Sequence, residues 1–296
     1  VALLAAAFLQ SSRQVDEVRV VYGAWEARQE LADGFTRSPM IDLSPMFDLI
    51  AWAAAADRFV GSGDAEPLAR LLHAAKPPFH ESRDDRVRRG QAKAMGLAVA
   101  PLRQVSRALR LTRPREAMKE AATLGTRLEA LQEGLPPQAA PFARLLDGVR
   151  EAYQPMAQPE GQVGGVWPEL ACQRAQLDWY LRHGQYAQAA TLAREWLVSW
   201  MLVRSGETDL VSKYLRDRAE TRLGEAWACA KAGHRVRLAQ EEGLPSDLRL
   251  AELFGVLGDV RNDINHAGMR ADPEPADALR EKVRDLVGEL SRLPLE

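Results

Sequence analysis

A mainly α-helical protein with a short α/β segment at its front is the fold class this sequence predicts, on three observations. From Ser44-Pro45 onward the composition turns to Ala, Leu, Arg and Trp with apolar residues at helical spacing, and no convincing strand follows. Proline and glycine clusters cut that length into segments of helix size. Ahead of it, Val18-Arg19-Val20-Val21-Tyr22 alternates and is β-branched, as a strand does.

Taken in order, Val1 to Gln14 reads as a helix that leads into this strand. Helix then strand is half of an α/β crossover unit, which cannot form a sheet alone, and the sheet it belongs to is expected to be parallel. A second short strand is expected at Met40-Ile41-Asp42-Leu43. The chain begins with Val rather than Met and inside a helix, so residues 1–43 are expected to be the remnant of a larger α/β domain. The periodicity then predicts helices over 45–61, 64–75, 84–111, 114–133, 138–152, 168–183, 185–204, 208–232, 246–267 and 275–292. Breaks fall at Gly61-Ser62-Gly63, Lys76-Pro77-Pro78, Gly134 to Pro137, Gly243-Leu244-Pro245 and Ala271 to Pro275. Pro155 to Gly165 reads as an exposed linker between a central helical insert, 44–155, and a C-terminal helical bundle, 166–296. Trp179 to Ala189, with Gly184, Tyr186 and Ala189, has the small-residue spacing of a tetratricopeptide-like hairpin. A looser relative ends at Phe59 and Gly63-Asp64, too far away to make a tandem array, and His183 reads as part of the hairpin's structure.

Length and charge narrow the function. At 296 residues and 46% hydrophobic content the chain can bury a substantial core, while a net charge of −2 gives no global pull toward nucleic acid, so any RNA binding must be local. Cys172 and Cys229 lack the paired spacing of a zinc site and read as reduced, buried residues of a cytoplasmic protein. No apolar run is long enough for a membrane helix, and the apolar start at Val1 to Leu9 has no basic segment before it. The sequence holds no Gly-rich phosphate loop, no metal-spaced His or acid set and no nucleophile elbow, so neither metal nor other cofactor is expected.

The stretch that carries chemistry is Arg261-Asn262-Asp263-Ile264-Asn265-His266. An arginine and a histidine five apart near a helix end can cleave RNA without a metal. Leu250, Leu253, Leu257, Val260 and Ile264 mark one apolar stripe, entered at Pro245-Ser246 with Ser246 as N-cap and stopped at Gly268. Arg261 falls on the edge of that stripe, and Asn265, Asn262 and His266 fan round toward the polar side. The group thus borders a packing surface, which suits a site completed by a second subunit. The helix dipole favours an imidazolium at His266, as a proton donor needs. The plain alternative is that Arg261 and His266 only meet the terminal carbonyls of their helix. Lys213, Arg216, Arg218 and Arg222 recur on the preceding helix and are candidate RNA contacts, with Asp217 and Glu220 beside them as the makings of surface ion pairs. Arg83 to Arg89 mixes charges of both signs and reads most simply as a solvated helix start, with an RNA-phosphate patch as the alternative.

Three stretches together carry a resemblance. They are Val20 to Ala27; Pro39 to Leu43 with Phe47 to Trp52 and Phe59-Val60 followed by Gly63-Asp64; and Arg261-Asn262 with His266. In that order the chain resembles the CRISPR-associated CARF-HEPN ribonucleases of the DxTHG-motif type, which belong to type III systems. The resemblance implies a C-terminal all-helical HEPN domain, preceded here by a remnant of a Rossmann-like CARF domain; the Asp-x-Thr-His-Gly signature itself is not in the sequence. It further implies a homodimeric antiviral endoribonuclease acting on single-stranded RNA, with Arg261, Asn262 and His266 catalytic and cyclic oligoadenylate sensed by a complete CARF domain. RNA supplies its own 2′-hydroxyl nucleophile, so imidazole for proton transfer and guanidinium for phosphorane charge suffice, giving a 2′,3′-cyclic phosphate. A reading of another class stands beside it: a non-catalytic, tetratricopeptide-like protein-interaction module.

Overall fold

The computed structural model of the chain describes residues 21–78, 85–132, 134–136, 139–158, 165–232, 247–269 and 271–295. The helix expected over 1–14, the first residues of the strand expected at 18–22, and the helix entry expected at Pro245-Ser246 lie outside them.

The described chain begins in two small strand pairs. Strand β1 (Val21–Gly23) pairs with β4 (Met40–Asp42), Val21 opposite Asp42, and between them β2 (Gln29–Glu30) pairs with β3 (Thr36–Arg37). Strand β4 stands where the sequence predicts a second strand. Both pairs are antiparallel rather than parallel; for β2 and β3 this follows from their connection, because a parallel pair needs a crossover of a dozen or more residues and these two are joined by a tight turn. In that turn the Asp33 carboxylate accepts from the Phe35 amide at 3.1 Å and Gly34 takes a left-handed φ of 79°. Trp25, Phe35, Met40 and Ile41 are exposed around these strands.

The remainder is helical. Helices α1 (Ser44–Ser62), α2 (Glu66–Ala74), α3 (Arg86–Arg110) and α4 (Pro114–Gln132) come first, then the single-turn α5 (Ala140–Ala143) and α6 (Leu146–Tyr153). Helices α7 (Val166–Arg182), α8 (Tyr186–Arg204), α9 (Lys213–Lys231), α10 (Asp247–Asn265) and α11 (Ala276–Leu290) complete the chain. Among the described residues no helix is long and apolar enough to cross a membrane. Two expectations are refined. The helix predicted over 138–152 is broken between Ala143 and Leu146, and the one predicted from 208 starts at Lys213. There the Asp209 carboxylate accepts from the amides of Val211 (3.1 Å) and Ser212 (3.0 Å), and the Ser212 hydroxyl accepts from the Leu215 amide at the helix N-terminus. Asp85 opens α3 in the same way, accepting from the Val87 and Arg88 amides at 2.8 and 3.1 Å.

The chain divides into two compact units. The first takes the described residues up to Val60, Asp64–Val99 and Leu128–Val149. Its core holds Phe59, Leu68, Leu72 and Met95, with Trp52 stacked on Phe142 at 5.2 Å between ring centres. The second takes Gly61–Gly63, Ala100–Arg127 and the chain from Arg150 onward. Its core is built on Trp179, Tyr180, Trp196 and Trp200, all fully buried. Three of these satisfy their polar atoms on backbone carbonyls: Tyr180 Oη donates to Leu109 (2.8 Å), Trp196 Nε1 to Leu170 (2.9 Å) and Trp200 Nε1 to Pro294 (2.8 Å). Burial pushes the Tyr180 and Tyr153 phenols far above their ordinary range. Gly63 has a φ of 72°, and a Cβ there would lie 2.7 Å from the Trp179 ring, so only glycine fits.

Candidate functional site

The arginine-histidine motif lies at the C-terminal end of α10, in the second unit. Leu250, Ala251, Leu253, Phe254, Leu257 and Val260 are buried on one side of this helix, which packs against α8, α9 and α11. Close approach to α9 is set by Gly255, where a Cβ would sit 2.3 Å from Trp227 Nε1. On the α8 side the Arg194 guanidinium lies 4.8 Å over the Phe254 ring and is held by Glu220 (2.6 Å) and Glu195 (3.1 Å). Toward α11, Arg249 Nε donates to Glu289 at 2.8 Å and Nη1 to Glu252 at 3.0 Å, which raises the arginine pKa above its usual value. The helix carrying the motif is therefore pinned on three sides.

Its end is built by the motif's own residues. Asn265 is the last helical residue; the His266 amide still donates to Asn262 O at 2.9 Å. Ala267 and Gly268 then take left-handed φ values of 53° and 68°, and the Gly268 amide returns to Asp263 O at 3.2 Å. Glycine at 268 is the expected stop, whereas an alanine held left-handed beside it is a strained position. Asp263, 3% exposed, fastens the chain beyond: its Oδ2 accepts from the Glu274 amide at 3.1 Å. Sequence reasoning passed over Asp263. The signal was there, since it lies three residues after Val260 on the buried stripe, where a carboxylate has to find donors.

Along this end the side chains take the order the stripe predicts. Arg261 is half-buried, while Asn262, Asn265 and His266 are exposed. The Nε of Arg261 is buried and has no hydrogen-bond partner among the described residues. The hydrogen bonds and ion pairs of the described residues include none from the His266 ring. Within one chain Arg261 and His266 are roughly 140° apart round the helix and about 7.5 Å apart along it, so they flank the helix end rather than converge.

The basic residues of α9 divide into two kinds. Arg216 is turned inward: Nη1 donates to Ser199 Oγ and Leu210 O, both at 3.0 Å, and Nη2 to the Glu195 carboxylate at 2.6 Å. It ties α9 to α8, and these bonds occupy the face a phosphate would need. Lys213, Arg218 and Arg222 are exposed, with Arg218 in a long, 3.8 Å ion pair to Glu207. Of the charged stretch Arg83 to Arg89, the described part from Asp85 is an exposed, self-capped helix start, with Arg88 3.5 Å from Asp85. His183, at the end of α7, is a structural residue: its ring stacks 4.1 Å from that of Trp179. Neither cysteine is the fully buried residue the sequence suggests: Cys172 is half-buried and Cys229 exposed, both as thiols, and burial raises the Cys172 pKa.

No curated protein matches the chain. Residues 48–156, the stretch from α1 to the turn after α6, match the family model described as CRISPR-associated protein MJ1674, second domain. That match, which ends before the motif helix begins, supports a CRISPR-associated family for this protein.

Proposed function

We propose that the chain carries a metal-independent endoribonuclease centre for single-stranded RNA at Arg261, Asn262 and His266, serving CRISPR-linked antiviral defence. The observation that carries this is the pairing, at one helix end, of a half-buried guanidinium whose buried Nε has no acceptor among the described residues with an exposed imidazole. A guanidinium carries a fixed charge and a planar fork of N–H donors suited to phosphate oxygens. The RNA 2′-hydroxyl attacks the adjacent phosphorus and loses its proton to an imidazole, while the 5′-oxygen leaves with a proton from an imidazolium. Arg261 neutralises the non-bridging oxygens, and Asn262, four residues before His266, is spaced to orient the ring or a phosphate. The products are a 2′,3′-cyclic phosphate and a 5′-hydroxyl.

Because one chain presents its arginine and histidine on different sides of the helix, the active form is a homodimer in which a two-fold axis gathers two of each. In a form with a complete CARF domain, cyclic oligoadenylate is the activator. The test is to incubate single-stranded RNA with the chain in EDTA and analyse the ends. Cyclic phosphate ends, formed at an EDTA-independent rate and abolished by Arg261→Ala, support the assignment. Cleavage that needs added Mg²⁺, or 3′-hydroxyl ends, overturns it. A protein-interaction role for the α7–α8 hairpin is favoured by the exposed turn at Gly184 and predicts no cleavage under any of these conditions.

A further inference from the structure

The first unit contains a cleft of about 490 Å³ whose lining residues include Asp48, Leu71, Lys76, Pro77, Arg88 and Gln91, with the almost wholly buried Trp52 behind its apolar part. Its volume lies within the range of small-molecule sites. Lys76 is half-buried at its edge, lying so close over α3 that a Cβ on Gly96 would come within 3.2 Å of its Nζ. The ion pairs and hydrogen bonds of the described residues include none from this ammonium. A half-buried ammonium with no counter-ion among the described residues is a place for an anion.

The remaining chemistry of the cleft narrows what that something is. Arg88 stands at the cleft with its guanidinium exposed and a carboxylate, Asp85, 3.5 Å away, so it adds positive potential without being a dedicated phosphate clamp. Asp48 is exposed, makes no ion pair with Lys76 within 4 Å among the described residues, and offers a carboxylate to hydroxyl or amino donors. Gln91 offers one donor group and one acceptor. The apolar lining includes proline, leucine and tryptophan. An inorganic anion leaves that wall uncovered, and an amino acid fills only a fraction of the volume. A molecule that combines a phosphate, hydroxyl or amino donors and a planar ring matches all three features.

We propose that this cleft binds a free nucleoside monophosphate, with the phosphate on Lys76, the base against the apolar wall and the sugar or base donors on Asp48. The experiment is isothermal titration calorimetry of AMP, adenosine and inorganic phosphate into the chain at physiological salt, where non-specific charge attraction is screened. AMP is expected to bind saturably with a Kd below about 1 mM, and adenosine and phosphate each at least about tenfold more weakly, as loss of a charge-assisted contact or of the ring's burial requires. Lys76→Glu and Lys76→Gln should each weaken AMP at least about tenfold. If one variant fails to fold, the other decides. The proposal is overturned if AMP does not saturate below about 10 mM, if adenosine binds as well as AMP, or if a folded Lys76 variant keeps AMP affinity within about twofold of wild type. RNA cleavage plays no part in the readout.

Discussion

Two helices of the second unit end in a histidine and a nearby left-handed glycine, and the two ends are used in opposite ways. At the end of α7 the His183 ring folds back onto its own helix: it stacks on Trp179, its Nδ1 lies 2.5 Å from Trp179 O, and Gly184 turns the chain with a φ of 66°. At the end of α10 the His266 ring stays exposed, and the fastening falls to the buried Asp263, which reaches the Glu274 amide across the turn. One histidine is consumed in holding a turn. The other is released from that duty by a neighbouring carboxylate, and beside it stands Arg261 with a buried Nε lacking an acceptor among the described residues. A histidine near a helix C-terminus is thus not informative by its position; what else caps the helix decides whether its imidazole is available.

The comparison can be broken by substitution, and the largest effect is expected on activity. His266→Ala should reduce RNA cleavage by about 10²–10⁴-fold, the range for a general acid-base group, with an unchanged melting curve. Gly184→Ala should cost about 1–2 kcal/mol, the penalty for a left-handed alanine, seen as a lower midpoint in urea. Asp263→Ala should cost about 1–3 kcal/mol by stranding the Glu274 amide, and cleavage should fall with it because the turn beside His266 loosens. His183→Ala should cost about 1 kcal/mol through the lost ring stack and hydrogen bond while cleavage per folded molecule is retained. The smallest effect is Ala267→Gly: relieving the φ of 53° should raise the urea midpoint slightly, by about 0.5 kcal/mol once the added chain entropy of glycine is subtracted. Destabilisation by that last change would mean that the α10 turn is not strained.

Much of the helical order was legible because its boundaries are written locally. Pro114 opens α4, Gly184 separates α7 from α8, and Pro275 precedes α11, each a residue whose backbone limits act without help from distant chain. The β2–β3 hairpin was missed because its strands are two residues long and polar, Gln29–Glu30 and Thr36–Arg37, with no alternation to detect; only Asp33-Gly34 marked its turn. At the candidate site the motif residues, the stripe and the Gly268 stop were all readable. What was not readable depends on tertiary neighbours. Gly255 matters only because Trp227 approaches it, and Arg216 looked like its exposed basic neighbours until Glu195, Ser199 and Leu210 surrounded it.

The most direct test sets the two histidines against each other in one assay: single-turnover cleavage of a fluorescent single-stranded RNA in EDTA by the wild-type chain, His266→Ala and His183→Ala, each confirmed folded by far-UV circular dichroism. An exposed catalytic imidazole at α10 and a structural one at α7 predict a loss of about 100-fold or more for His266→Ala and near wild-type rates for His183→Ala. Cleavage by His266→Ala within about threefold of wild type, or equal losses for both variants, would contradict the assignment of chemistry to the end of α10.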